Sequence, residues 1–183
     1  TTPFMTKMMA TNLELYQAGE GVTASGVFYT AGSKYSIIAN PFGSGWFSST
    51  GSGITMGLIV AIMLFSKRDD FKAIAKLAIP CGIFNINEPI IFGIPMVMNA
   101  MFAVPFFLAP VACICCGYLV QSLGLCPLFV IDVPWTTPVG LFGFLASSGN
   151  IMGGIWQIVI IVGVSTLIYT PFVIAANRQG AEA

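Results

Sequence analysis

Long apolar stretches alternate along this chain with short polar interruptions, and these boundaries define the predicted elements. Asn99–Val120 and Ile151–Ala175 are each long enough to cross a lipid bilayer, because a spanning helix needs about 20 apolar residues. Ile54–Phe65 is shorter and stops at Ser66–Lys67. It therefore either begins further back, near Trp46, or forms a short helix packed within the protein.

The first of two broken apolar stretches, Leu77–Pro95, is too short and too rich in proline to cross a membrane cleanly. Its centre places Asn85, Asn87 and Glu88 inside an oily run. A carboxylate at hydrocarbon depth is costly and normally faces a cavity, a partner or a ligand. Transporters build substrate sites from such broken backbone and polar groups. We therefore predict a re-entrant hairpin over about residues 77–97, with Asn-Glu-Pro at its tip.

The second broken stretch covers residues 121–148 and contains the sequence D-V-P-W-T-T-P at residues 132–138. We predict a second re-entrant hairpin there, since exposed backbone at that depth is tolerated only against protein or water. The chain then divides into an interfacial helix and loop region (1–53), a membrane substrate-binding domain (54–178) and a short tail (179–183). The predicted fold is an all-α membrane protein.

Composition supports a membrane environment. Of the 183 residues, 56% are hydrophobic and 8% are charged, with a mean hydropathy of +0.89. Soluble domains carry roughly a quarter charged residues. Between Leu77 and Asn177, Glu88 and Asp132 are the only formal charges. The net charge is zero and no basic patch indicates nucleic acid as a partner.

Cysteine and histidine usage argues against a metal site. The five cysteines lie in apolar surroundings, and the sequence contains no histidine. We read the cysteines as small packing residues and expect neither a metal nor a cofactor.

Basic residues predict the orientation in the membrane. The decapeptide K-R-D-D-F-K-A-I-A-K (67–76) is the most polar in the chain, and we interpret it as a cytoplasmic loop. Two full crossings after it, with hairpins returning to their own side, bring Arg178 back to the same face. The prediction is a multi-pass protein of the bacterial cytoplasmic membrane with a cytoplasmic C-terminus.

Three blocks carry a resemblance to a known family. They are G-S-G-I-T-M-G-L-I-V-A-I-M-L-F-S-K (51–67), G-I-F-N-I-N-E-P-I-I-F-G-I-P-M-V-M-N (82–99), and V-P-W-T-T-P (133–138) followed by G-F-L-A (143–146). In order and spacing they resemble the membrane-embedded IIC component of the bacterial sugar phosphotransferase system, in its lactose/cellobiose (diacetylchitobiose) family. The resemblance runs from about Thr1 to Arg178.

The resemblance implies a function and a set of partners. A IIC protein is a homodimer that takes up a disaccharide and holds it between two re-entrant hairpins. It presents a sugar hydroxyl to the phosphocysteine of the cytoplasmic IIB component. The IIA component is the second cytoplasmic partner. The family's sugar-binding glutamate, its neighbouring asparagine and the tryptophan of the second hairpin fall on Glu88, Asn87 and Trp135. On this basis the chain is the acceptor-binding component of a phosphotransferase, and a β-linked disaccharide such as cellobiose, chitobiose or lactose fits the family.

One departure from the family concerns histidine. The family uses a histidine in a Gly-Ile-His-Gly stretch just upstream of the residues that begin this chain. We expect the sequence to be the C-terminal portion of a longer protein, with an incomplete site and without the N-terminal half that makes most of the dimer contact.

The chemistry of a sugar site can be matched to residue types. Carboxylates and amides hold hydroxyls, and an aromatic face packs on the C–H side of a ring. Asn85 and Asn87 are read equally well as ligands or as turn-capping amides, Thr136 and Thr137 mainly as hairpin-tip hydrogen bonders, and Asp132 remains open. The residues predicted to bind substrate are Glu88, Asn87, Asn85, Trp135, Thr136 and Thr137.

Glu88 is also the predicted catalytic residue, because it could orient the acceptor hydroxyl or take its proton. Two alternatives stay open from the residues alone. The first is an ion-coupled secondary transporter that uses Glu88 as the coupling acid. The second is a non-transporting membrane subunit whose polar residues lock helices together.

Overall fold

The computed structural model describes residues 3–23, 26–94, 96 and 100–179. This part is mostly helical, at 64% helix and 2% strand, which confirms the all-α prediction. A short antiparallel pair joins β1 (Val22–Thr23) to β2 (Gly26–Val27). The helices are α1 (Pro3–Gln17), α2 (Asn40–Trp46), α3 (Met56–Phe65), α4 (Asp69–Ile83), α5 (Glu88–Gly93), α6 (Ala100–Ser122), α7 (Leu141–Ala146), α8 (Ile151–Ile158) and α9 (Ser165–Gln179), with a π-helical turn at Val159–Val164 between the last two.

Within the described ranges, two continuous helical segments are long and apolar enough to cross a membrane. They are Met101–Ser122 and Ile151–Arg178. They match the two spans predicted from the sequence, although Asn99, where the first prediction began, lies outside the described residues. Large apolar side chains such as Phe107 and Leu167 are exposed on them. An apolar helix with an apolar exposed face suits a lipid environment.

The third apolar stretch forms a short helix packed within the protein. Helix α3 begins at Met56, and its side chains Leu58 and Ile62 are fully buried. Its Gly57 lies against Ser165 of α9: an added Cβ would be 2.5 Å from the Cβ of Ser165 and 2.6 Å from its carbonyl carbon. The absence of a side chain at Gly57 therefore lets the two helices approach closely.

The polar decapeptide at 67–76 was predicted to be a loop, and this prediction is wrong for most of its length. Helix α4 already begins at Asp69. Asp69 and Asp70 lie in its first turn, where negative charge complements the helix dipole. A hydrogen bond from Arg68 also holds the pKa of Asp70 below its usual range. Apolar residues at helical spacing then bury one face of α4: Phe71, Ala75 and Ala78.

Asn177 joins the last helix to the turn between α3 and α4. Its Oδ1 accepts hydrogen bonds from the Lys67 backbone N–H at 2.9 Å and from the Ser66 hydroxyl at 3.4 Å. Its Nδ2 donates to the Phe65 carbonyl at 2.9 Å. Arg178 follows directly, so it lies at the same end of the described structure as Lys67.

The core has two parts. One lies between α3, α4, α6 and α9 and includes Phe102 and Tyr169. The other lies beneath α2 and the segment that follows α6, where the rings of Trp46 and Phe129 stack with their centroids 5.1 Å apart. The second part includes Phe129, Val130 and Val133, which lead along the chain to Trp135.

Candidate functional site

The chain reverses between α4 and α5, at the place predicted as the tip of the first hairpin. The Ile86 N–H bonds back to the Cys81 carbonyl at 3.0 Å, which closes the end of α4. Asn85 has a φ of 64°. Asparagine is one of the few residues other than glycine that enter this left-handed region readily. This backbone requirement explains an asparagine at position 85 in an otherwise apolar segment.

The side chain of Asn85 connects three separate segments. It is buried, and its Oδ1 accepts a hydrogen bond from the Thr50 N–H at 2.9 Å. Its Nδ2 donates to the Thr137 carbonyl at 2.8 Å and to the Trp135 carbonyl. Both amide hydrogens are therefore used within the protein. The tips of the two predicted hairpins meet at this residue.

Asn87 holds the same tip against the loop before α3. Its Nδ2 donates to the Ser52 carbonyl at 2.8 Å. Gly51 passes so close that an added Cβ would be 2.5 Å from Cγ of Asn87, and its φ is 78°. The amide of Asn87, like that of Asn85, thus stabilises backbone that lacks regular secondary structure.

Glu88 is the first residue of α5, and its side chain is exposed. The salt bridges among the described residues are Lys34–Glu20 and Arg68–Asp70, so within that part of the chain no cation neutralises Glu88. A carboxylate in the first turn of a helix is electrostatically favourable. The charge of Glu88 is therefore exposed, three residues after Asn85 in the chain.

At the second predicted tip, main-chain groups are hydrogen-bonded within the protein, whereas the Trp135 and Thr136 side chains are exposed. The indole of Trp135 is 66% exposed, although its carbonyl is bound by Asn85. Thr136 is exposed and Thr137 is half-buried, and the Thr137 N–H closes a turn to the Pro134 carbonyl at 3.0 Å. The main-chain groups of this tip are structural, and the Trp135 ring is free to meet a ligand.

A groove of about 450 Å³ lies beside Trp135. Asn40 and Ser44 of α2 form one wall, and Asp132, Val133, Pro134 and Trp135 form the other. The Asn40 Nδ2 donates to Oδ2 of Asp132 at 3.2 Å across it. The groove combines an aromatic face with a carboxylate, an amide and a hydroxyl. This is a donor and acceptor set that suits a polyhydroxylated ligand.

The groove differs in part from the sequence-based site. Trp135 lines it, and Asp132, whose role the sequence left open, lines it as well. Glu88, Asn85 and Asn87 are not among the described residues that form its walls. Asn40 and Ser44 lie in the predicted interfacial region (1–53), in a run rich in Pro, Gly and Ser, and the sequence carried no signal for a binding role there. Within the described residues, no three His, Cys, Asp or Glu side chains are grouped closely enough to hold a metal ion.

Comparison with known proteins gives consistent matches. The family described as "Phosphotransferase system, EIIC" matches residues 1–110. The cellobiose-specific EIIC component of Lactococcus lactis subsp. lactis (strain IL1403) is 42% identical over 133 residues, which are 73% of this chain and 26% of the relative. The oligo-beta-mannoside-specific EIIC component of Bacillus subtilis (strain 168) is 39% identical over 158 residues, or 82% of this chain and 34% of the relative. The lactose-specific EIICB component of Staphylococcus aureus is 34% identical over 165 residues, or 88% and 26%.

A solved structure matches nearly the whole chain. The crystal structure of the transporter ChbC, the IIC component from the N,N'-diacetylchitobiose-specific phosphotransferase system, aligns with a TM-score of 0.84 and 33% identity. The alignment covers 98% of this chain and 39% of ChbC. The chain spans only about a quarter to a third of the length of the curated relatives named above.

Proposed function

Since this chain belongs to the phosphotransferase system EIIC family, we propose that it forms the sugar-binding part of a membrane permease. The substrate is a β-linked disaccharide of the cellobiose, chitobiose or lactose type. The permease translocates the sugar and presents it to the phosphocysteine of a IIB component, with IIA as the second cytoplasmic partner. The observation that carries the proposal is the groove beside Trp135, because it places an indole face next to Asp132, Asn40 and Ser44.

The groove supplies the two kinds of contact that a sugar needs. The exposed face of Trp135 packs against the C–H side of a pyranose ring. The Asp132 carboxylate, the Asn40 amide and the Ser44 hydroxyl exchange hydrogen bonds with the ring hydroxyls. Such a polar wall rejects ligands without matching hydroxyls, because its own groups would be left unpaired.

We assign Glu88 to the acceptor hydroxyl. Its carboxylate lies on the same tip as Asn85, which is bonded to the backbone of Trp135. From there it orients the hydroxyl that is phosphorylated, or accepts its proton. Phosphoryl transfer asks for little more than placement and charge from the acceptor side. Asn85, Asn87, Thr136 and Thr137 shape the two tips around this position.

Phosphotransferase names recur among the relatives of this chain, and they favour this reading over an ion-coupled transporter or a non-transporting subunit. By family resemblance the permease acts as a homodimer, with most of the contact made by a preceding N-terminal half. The segments 77–97 and 121–148 enter the membrane and return to their own side. Residues 1–53 form the interfacial region, 54–178 the membrane domain and 179–183 the tail.

Two substitutions test the sugar site. In the full-length protein, Trp135→Ala is expected to weaken disaccharide binding by about tenfold or more, because the stacking surface is lost. Glu88→Gln is expected to leave binding within about threefold while phosphorylation by phosphorylated IIB falls by about a hundredfold, in the range of general acid–base effects. Calorimetric binding and a phosphorylation assay measure the two effects separately. Trp156→Phe, on α8 and away from the groove, is the control. Unchanged binding in Trp135→Ala would remove the groove from the proposal.

The orientation has its own test. In a cysteine-free background, Lys67→Cys and Arg178→Cys are expected to react with a membrane-impermeant maleimide from the same side, since Asn177 holds their segments together. That side is the cytoplasmic one by the distribution of basic residues. Leu123→Cys is the control for the other face, because contact between the Phe71 and Phe102 rings places the beginning of α6 beside α4. Labelling of Lys67→Cys and Arg178→Cys from opposite sides would refute the proposed topology.

A further inference from the structure

A fully buried glutamine lies in the second membrane span. Gln157 belongs to α8, and its relative exposure is 0%. An amide in an apolar helix is costly unless its hydrogen bonds are satisfied. The hydrogen-bond partners of Gln157 therefore show which segments this residue holds together.

Gln157 uses its full hydrogen-bonding capacity to join two segments. Its Oε1 accepts from the N–H groups of Gly140 at 2.8 Å and Gly143 at 2.7 Å, at the start of α7. Such N–H groups have no partner inside their own helix. Its Nε2 donates to the Gly45 carbonyl at 3.1 Å, in the last turn of α2, and to the Ser49 hydroxyl at 3.2 Å, just after α2 ends. The amide thus makes two donor and two acceptor contacts.

The two segments joined by Gln157 carry the two walls of the groove. Helix α2 supplies Asn40 and Ser44. The opposite wall is bonded to α7, because the N–H groups of Val130 and Ile131, just before Asp132, donate to the carbonyl of Ala146 at 2.8 and 3.1 Å. The two segments pack closely at Gly45, since an added Cβ would be 2.6 Å from the Phe129 ring.

We propose that Gln157 is a positioning residue that sets the separation of the groove walls, and thereby how bulky a sugar the groove admits. The inference rests on the proposed sugar-binding function. Gln157 touches no groove surface, so its effect passes through α2 and α7. Replacing it with methionine keeps the side-chain length but removes all four hydrogen bonds. The Asn40–Asp132 hydrogen bond at the rim still joins the walls, but their buried connection through α2 and α7 is lost. The separation of the walls then varies more, and discrimination between a small and a bulky disaccharide falls.

The chain provides a matched control. Gln121 is also fully buried in a membrane span, and its Nε2 donates to the Pro127 carbonyl at 3.0 Å. That bond does not connect the groove walls. Gln157→Met and Gln121→Met therefore make the same chemical change at the same burial, with and without the bridge. Ser49→Ala removes one of the four bonds and serves as a milder variant if Gln157→Met does not fold.

The first test measures dissociation constants of the full-length protein for cellobiose, lactose and N,N'-diacetylchitobiose, together with thermal unfolding. Gln157→Met is expected to change the ratio between the tightest and weakest sugar by about tenfold, as pocket-shape discrimination allows. Ser49→Ala changes it in the same direction by about threefold, and Gln121→Met leaves it unchanged. Lower stability with an unaltered ratio in Gln157→Met and Ser49→Ala overturns the inference, because a purely structural residue behaves in that way.

The second test does not depend on sugar. Spin labels at Ser44→Cys and Thr136→Cys, with the five native cysteines replaced, report the separation of the walls. The inference expects a broadened distance distribution in Gln157→Met but not in Gln121→Met, and equal distributions overturn it. If the wild-type protein binds none of the three sugars, the proposed function fails, while the labels still decide whether Gln157 positions the walls.

Discussion

Asn85→Ala is expected to destabilise the full-length protein by about 3–5 kcal/mol and to abolish measurable disaccharide binding. The substitution leaves the Thr50 N–H and the carbonyls of Trp135 and Thr137 without their partner. The buried Thr50 N–H left unpaired costs about 1–3 kcal/mol, and the two carbonyls add less because they are only partly buried. Alanine also resists the φ of 64° at this position, at about 1–2 kcal/mol. Thermal unfolding in detergent and a binding titration measure the two effects.

Asn85→Gly separates the two causes, since glycine accepts the left-handed backbone but offers no amide. It is expected to recover only the backbone part, about 1 kcal/mol, and to bind sugar as poorly as the alanine variant. If the glycine variant instead behaves like the wild type, the link between the two tips contributes nothing to the site.

Gly57→Ala is expected to cost at least about 3 kcal/mol of stability, at or above the upper end of typical overpacking effects. Its new Cβ would be 2.6 Å from the carbonyl carbon of Ser165, and a backbone atom cannot rotate away. Helices α3 and α9 would have to separate, which also strains the Asn177 contact at their shared end. The unfolding midpoint of the full-length protein, measured in detergent, gives the effect.

Gly163 provides the matched control for Gly57. No heavy atom lies within 4 Å of an added Cβ there. Because alanine favours helical backbone over glycine by up to about 1 kcal/mol, Gly163→Ala should be neutral or slightly stabilising. Equal effects at Gly57 and Gly163 would show that the close approach of α3 and α9 does not limit stability.

The sequence identified features that depend on local signals. The two spanning helices were predicted from runs of about 20 apolar residues, the length that a helix needs to cross a bilayer. Family membership followed from the three blocks that include Glu88 and Trp135, and it is confirmed by the match over residues 1–110. The position of the first chain reversal followed from Asn-Glu-Pro within an apolar run.

Features that depend on distant contacts were not visible. Asn85 reaches a backbone 50 residues away, so nothing in its neighbourhood distinguishes a tie between tips from a sugar ligand. Asn40 and Ser44 belong to the groove only because α2 packs against the segment that precedes Trp135. The error at α4 was of another kind, since its charge density obscured the helix-start signal of Asp69 and Asp70.

The π-helical turn at Val159–Val164 determines the direction in which each side chain of α9 points. A π turn contains one more residue than an α turn, and each residue of a helix adds about 100° of rotation. With that extra residue in place, Ser165 meets Gly57 and the Tyr169 hydroxyl donates to the Gly53 carbonyl at 2.6 Å. Deleting a single residue from this turn would rotate both side chains by about 100° away from these contacts, so the number of residues in it is as much a determinant of packing as their identity.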